Sequence, residues 1–82
     1  MEKQTRHNKS QKAFGMKVRE IRKAKGLTQE TLSYMADIEL STINRIELGK
    51  AGTSLNNIFS IAEALDIHPK MLFEFEIPKI EK

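Results

Sequence analysis

Apolar residues recur along the chain at helical spacing, in short runs broken by glycine and polar residues. Phe14, Val18 and Ile21 fall at i, i+4 and i+7 with Lys and Arg around them, which predicts an amphipathic helix over residues 12–25. Lys23 and Lys25 sit in its last turn, where cations suit the helix dipole, and Gly26 supplies the stop. Thr28 is suited to cap a second helix over residues 29–36, with Leu32 and Ala36 on its inner face. After Asp37 and Ile38 a third helix runs over residues 40–48, and Gly49 ends it. Only Ile43 and Ile46 give this helix an inner face, so most of its surface looks outward. Ser54 caps a fourth helix through residue 65, where Leu55, Ile58, Ile61, Ala62 and Leu65 form the strongest periodicity in the chain. Pro69 suits the first turn of a short fifth helix to about residue 73. Residues 73–77 then alternate with period two, a strand signal that Pro78 stops. The pattern predicts an all-α fold: a compact bundle of four to five helices with, at most, one short C-terminal strand.

Length changes the picture only by limiting it. At 82 residues the chain fits one domain. The pattern divides it into a flexible basic arm over 1–10, a folded domain over 11–73 and a tail over 74–82. Cysteine is absent, so no disulfide supports the fold, which agrees with a reducing compartment. No apolar run approaches the ~18–20 residues of a membrane span, and the N-terminus is too polar for a secretory signal. A cytoplasmic location and no membrane partner are expected.

Charge is more informative in its distribution than in its total of +3. Residues 1–25 carry nine bases and two acids, leaving five bases and nine acids for the remainder. A basic front suits a polyanionic partner, although a solvated lysine-rich helix face accounts for the same charges.

The second and third helices are joined by only Asp37, Ile38 and Glu39. Helices joined by so short a turn cross at about 90–120°, the helix-turn-helix arrangement. Such a turn needs a residue that tolerates positive φ, an apolar plug and a small contact residue. Asp37, Ile38 and Ser33 fill these roles, with Leu32, Ile43 and Ile46 beneath the crossing. The free face of the third helix then carries Ser41, Thr42, Asn44 and Arg45, with Glu39 and Leu40 at its leading end. Short hydrogen-bonding side chains with one arginine suit the reading of base edges in a major groove about 12 Å wide. Arg45 suits guanine, Asn44 adenine, the Thr42 methyl thymine, and Glu39 the amino group of cytosine. Taken alone, the same set is also what a solvated helix surface looks like.

Three ordered blocks carry a resemblance. They are Ile21-Arg22-Lys23-Ala24-Lys25-Gly26-Leu27-Thr28-Gln29-Glu30, Ser41-Thr42-Ile43-Asn44-Arg45-Ile46-Glu47-Leu48-Gly49-Lys50 and Ile61-Ala62-Glu63-Ala64-Leu65. Over residues 14–72, about seven tenths of the chain, the sequence resembles the phage-repressor and Cro-like (Xre) helix-turn-helix family. The resemblance implies a repressor-like bundle that binds double-stranded DNA. By position it implies that Ser41, Thr42 and Arg45 read bases, with Asn44 beside them. It places Gln29 on the DNA backbone at the start of helix two, where the family's glutamine sometimes also braces a neighbouring base contact, and Lys50, Thr53 and Asn56 on the opposite flank. It also implies that Arg22 and Glu47 form a partly buried ion pair; two independent surface charges are the plainer reading.

Two positions depart from the family pattern. Asp37 stands where the family usually has Gly, and Glu39 where it usually has Ser or Thr. Glu39 caps poorly and places negative charge near phosphates. Residues 37–50 hold two bases and three acids, so affinity must also draw on the arm, on helix ends and on dimerisation.

In the arm, Lys3, Arg6, His7 and Lys9 suit phosphates or a minor groove, or else a solvated tail. At the other end, Phe73, Phe75 and Ile77, with Met71, Leu72 and Ile80, exceed what a small monomer needs to close its core. They predict a homodimer patch, with terminal strands as one way of pairing. His7 and His68 lack partners at metal-ligand spacing, and no nucleophile–base set, phosphate loop or cofactor motif is present. No metal, cofactor, small-molecule ligand or catalysis is expected. The leading expectation is a sequence-specific transcriptional regulator, a homodimer on a palindromic operator, resembling stand-alone phage-type repressors or restriction–modification controllers. The rival is a protein-interaction module on the same fold, an antitoxin or adaptor, which the acidic third-helix segment and the apolar tail favour.

Overall fold

The computed structural model describes residues 7–50 and 52–77. Four α-helices follow in order: α1 (Asn8–Ala24), α2 (Gln29–Ala36), α3 (Leu40–Glu47) and α4 (Leu55–Leu65). A 3-10 helix, Pro69–Phe73, completes the fold. Helix α1 begins four residues before Lys12, so Asn8, Lys9 and Ser10 are helical rather than part of a flexible arm. Apolar periodicity is silent over those polar residues, yet extending an existing helix needs no new nucleus. Residues 1–6 of the expected arm lie outside the described residues.

Side-chain caps mark the start of α2, α4 and the 3-10 helix. The Thr28 hydroxyl accepts from the Thr31 N–H at 3.0 Å, and the Ser54 hydroxyl accepts from the Asn57 N–H at 3.1 Å. Before Pro69, His68 Nδ1 accepts from the Lys70 N–H at 3.0 Å. The ends share one device, a left-handed residue with paired back-bonds. After α1, Gly26 and Leu27 donate to Lys23 and Arg22 carbonyls; after α2, Asp37 and Ile38 donate to Tyr34 and Ser33. After α3 the pair is Gly49 and Lys50 onto Ile46 and Arg45, and after α4 it is Asp66 and Ile67 onto Glu63 and Ala62. Asp37 takes the left-handed conformation at φ 56°, as expected of the turn, and Asp66 repeats it at φ 57°.

The core gathers Phe14, Val18, Leu32, Ala36, Ile38, Ile43, Ile46, Ile61, Ala62, Leu65 and Leu72. Ile21 and Ile58 pack against it, half-buried. Leu55 does not join its predicted stripe and is 69% exposed. It is the first residue of α4, next to exposed Phe59 one turn on, whereas Ala62, on nearly the same side of the helix two turns later, is buried.

Among the described residues no strand forms at 73–77. At Glu74 (φ −81°, ψ 72°) the backbone makes an inverse γ-turn, in which the Phe75 N–H donates to the Phe73 carbonyl at 2.8 Å. The turn brings the Phe73 and Phe75 rings to 6.5 Å, with Phe73 5.1 Å from Phe14. Part of the predicted dimer patch is therefore used at home: Phe75 is half-buried against the core, while Phe73 and Ile77 remain exposed.

Helices α1 and α3 meet almost backbone to backbone. A Cβ at Gly15 would lie 2.1 Å from the Ile46 carbonyl oxygen and 2.8 Å from that of Glu47. One at Gly49, where φ is already +71°, would lie 2.6 Å from the Lys12 Cα. All three atoms are main chain, which cannot swing aside. Gly15→Ala is therefore expected to destabilise the fold by about 1–3 kcal/mol through overpacking, despite alanine's better helix propensity. Urea denaturation checks this; a variant as stable as the parent would contradict the close approach.

Candidate nucleic-acid interface

The α2–α3 turn is held from within. The Ser33 hydroxyl donates to the Ile38 carbonyl, and the Ile38 side chain is buried beneath the crossing. Ile43 and Ile46 pin α3 to the core. Glu39, Leu40, Ser41, Asn44, Arg45 and Leu48 are left exposed along its outer side, with Thr42 half-buried at the margin. The structure thus brings Glu39, Ser41, Asn44 and Arg45 to one open surface and sets Thr42 partly back from it. The Glu39 side chain makes no capping hydrogen bond to the first turn of α3.

Behind this surface lies a buried ion pair. Arg22 and Glu47 are 7% and 5% exposed. Arg22 Nε donates to Glu47 Oε2 at 2.7 Å and Nη2 to Oε1 at 3.0 Å, a two-point fork between α1 and α3. Arg22 Nη1 also donates to the Leu27 carbonyl at 2.8 Å, just before α2. The hydrogen bonds to Glu47 and its charge raise the Arg22 pKa further despite burial, so the guanidinium stays charged at every physiological pH.

Gln29 is drawn into the same network. Its Nε2 donates to Glu47 Oε1 at 2.9 Å, and its Oε1 accepts from Asn44 Nδ2 at 3.4 Å. The side chain expected on the DNA backbone is turned toward α3, because a buried carboxylate takes the nearest amide donor. On the other flank Lys50 and Asn56 are exposed. Thr53 is half-buried, and its Oγ1 is enclosed without a hydrogen-bond partner among the described residues. Thr53 also lines a cleft of about 280 Å³ together with Gln11, Phe14, Phe73 and Phe75.

One cationic element was not assigned from the sequence. A groove of about 430 Å³ runs between α1 and α3, lined by Lys12, Met16, Arg19, Gln29, Asn44 and Leu48, with Glu47 at its floor. Lys12 and Arg19 stand exposed beside the outer side of α3. Their spacing at i and i+7 was the available signal, obscured because bases surround the apolar stripe of α1. Lys17 faces elsewhere and pairs with Glu20 at 3.3 Å.

Comparison with known proteins agrees with this geometry. The helix-turn-helix family profile matches residues 18–72. The chain belongs to the helix-turn-helix family. Over 63 residues it is 43% identical to "Control protein C.BamHI" from Bacillus amyloliquefaciens, covering 76% of this chain and 78% of that one. The solved structure of the restriction-modification controller protein C.AhdI from Aeromonas hydrophila superposes with a TM-score of 0.75 at 45% identity, over 76% of this chain and 94% of that one. The clp gene regulator ClgR from C. glutamicum shares the helix-turn-helix fold at 22% identity, with a TM-score of 0.72 over 76% of this chain and 80% of its own.

Removing one side of a buried pair leaves an uncompensated charge, at a cost of about 3–5 kcal/mol. Arg22→Ala is expected to lose most of the domain's stability, and Arg22→Lys to rescue little of it, since an ammonium cannot reproduce the fork. Thermal melts followed by circular dichroism test this; an Arg22→Ala melt at the parental temperature would refute it.

Proposed function

We propose that the protein is a sequence-specific, double-stranded DNA-binding transcriptional regulator of the restriction–modification controller type. It acts as a homodimer that sets α3 of each protomer into successive major grooves of a palindromic operator, about 34 Å apart. The observation that carries this reading is the outer side of α3. Ser41, Asn44 and Arg45 are exposed together on a helix whose other side is fixed to the core. Arg45 has the fork that recognises guanine, and Asn44 the amide that recognises adenine. Glu39 accepts from a cytosine amino group, and Thr42 adds a marginal contact through its methyl. Phosphates are met on one flank by Lys50 and Asn56, with Thr53 nearby, and on the other by the start of α2 at Gln29 and by Lys12 and Arg19 of α1.

Dimerisation draws on the apolar surface left outside. Leu55 and Phe59, 69% and 55% exposed, form an i, i+4 stripe on α4, and Phe73 and Ile77 stand at the tail. Sedimentation at tens of micromolar should give twice the 9.4 kDa chain mass. Either Phe59→Asp or Ile77→Asp should return the monomer and thereby identify the surface. A monomeric parent protein would overturn the dimer.

Selection from a random duplex pool, followed by salt titration, tests the recognition. Affinity should fall with a log–log slope of about −0.9 per phosphate neutralised, and the selected site should exceed random DNA by about 10³ or more. Lys50→Ala should weaken all sequences alike and reduce the slope by about one, whereas Arg45→Ala should cost about 1–3 kcal/mol at one base pair. Failure to enrich any sequence would favour a protein-interaction role instead.

A further inference from the structure

Among the four bases only thymine carries an apolar group on its major-groove edge, the 5-methyl. Helix α3 has one apolar residue placed to meet it. Ile43 and Ile46 are spent on the core, and Leu48 is the C-cap at the trailing end. Leu40 is the first residue of α3 and is 40% exposed. Helical Cα–Cβ bonds tilt toward the N-terminus, so a side chain at the first position projects ahead of the helix. Glu39, just before it, is exposed and makes no capping bond to the first turn. Asn44 follows Leu40 one turn later on the same side, also exposed. Thr42, the other methyl-bearing residue of this helix surface, is half-buried at its margin.

We propose that Leu40 makes this chain a reader of the pyrimidine 5-methyl group, an inference that rests on the DNA-reading function above. A recognition helix meets base edges with its N-terminal residues, which puts the leading leucine against the groove floor. Over a thymine, the leucine and the base methyl each remove the other from water. Cytosine lacks the methyl, but 5-methylcytosine presents it from the same ring carbon. The same contact therefore makes binding sensitive to cytosine C5-methylation at that position. This readout is separate from that of Arg45 and Asn44, whose forks suit the edges of guanine and adenine. A leucine merely left in solvent, as exposed leucines often are, would be indifferent to the methyl.

The test takes the site selected by the parent protein and replaces its thymines with deoxyuridine, one position at a time in each half-site. Uracil keeps every hydrogen-bonding group of thymine and lacks only the methyl. At one position the parent should lose affinity by about fourfold per half-site, the factor that burying a single methyl carries. Leu40→Ala should bind the thymine and uracil forms of that position alike. Thr42→Ser, which removes the methyl of that side chain, should keep the difference. With a C·G pair placed there instead, 5-methylation of the cytosine should strengthen binding by the parent and leave Leu40→Ala unaffected. Leu40→Asn, close in size and suited to an exposed first turn, serves if a thermal melt shows that alanine unsettles the fold. Four results would overturn the assignment while sequence selection by the parent stands: no thymine sensitive to loss of its methyl, a difference that survives at Leu40→Ala or Leu40→Asn, one that vanishes in Thr42→Ser, or 5-methylcytosine bound no better than cytosine. If the parent selects no sequence at all, the DNA-reading function fails and this inference fails with it.

Discussion

The fork between Arg22 and Glu47 is the constraint on which the rest depends. It joins α1 to the end of α3 and, through the Leu27 carbonyl, reaches the segment that starts α2. Two charges taken out of water are tolerable only when their hydrogen-bonding capacity is met, and here it is met from three directions. The helix that faces outward has only two large apolar residues, Ile43 and Ile46, directed into the core. Hydrophobic burial alone would hold such a helix loosely. A geometrically demanding polar contact fixes its rotation as well as its depth, which is what a surface for reading base edges requires.

The helical framework was legible from the sequence because the signals were local. Thr28 and Ser54 cap as their side chains suggest, Gly26 and Gly49 stop their helices, and the apolar spacing located α1 to α4. What was hidden depended on tertiary context. Leu55 matches an i, i+3 pattern with Ile58, yet as the first residue of α4 it stands beyond the end of the core. The alternation at Phe73, Phe75 and Ile77 reads as a strand, but the described residues offer that segment no pairing strand, and Phe73 packs on Phe14 with Phe75 against Phe73 instead. Gly15 gives no sequence signal at all, since its value lies in what it lets a distant carbonyl approach.

The candidate site divides in the same way. Exposure of Ser41, Asn44 and Arg45 followed from the spacing of Ile43 and Ile46. The inward turn of Gln29 and the burial of the Thr53 hydroxyl did not, because both depend on tertiary packing, for Gln29 on Glu47, 18 residues along the chain. A sequence motif names which residue types stand at a site; it does not say which of them the protein's own polar groups claim first.

The seam between α1 and α3 has a consequence for how such a surface can diverge. Main-chain atoms, not rotamers, set the separation there, since Gly15 and Gly49 place peptide groups in direct opposition. The cations of α1 and the outward side of α3 are therefore held at a fixed spacing. In the proposed DNA reader, a change of target would then proceed through the outward side chains, since widening the seam by a larger residue at Gly15 or Gly49 strains the fold itself.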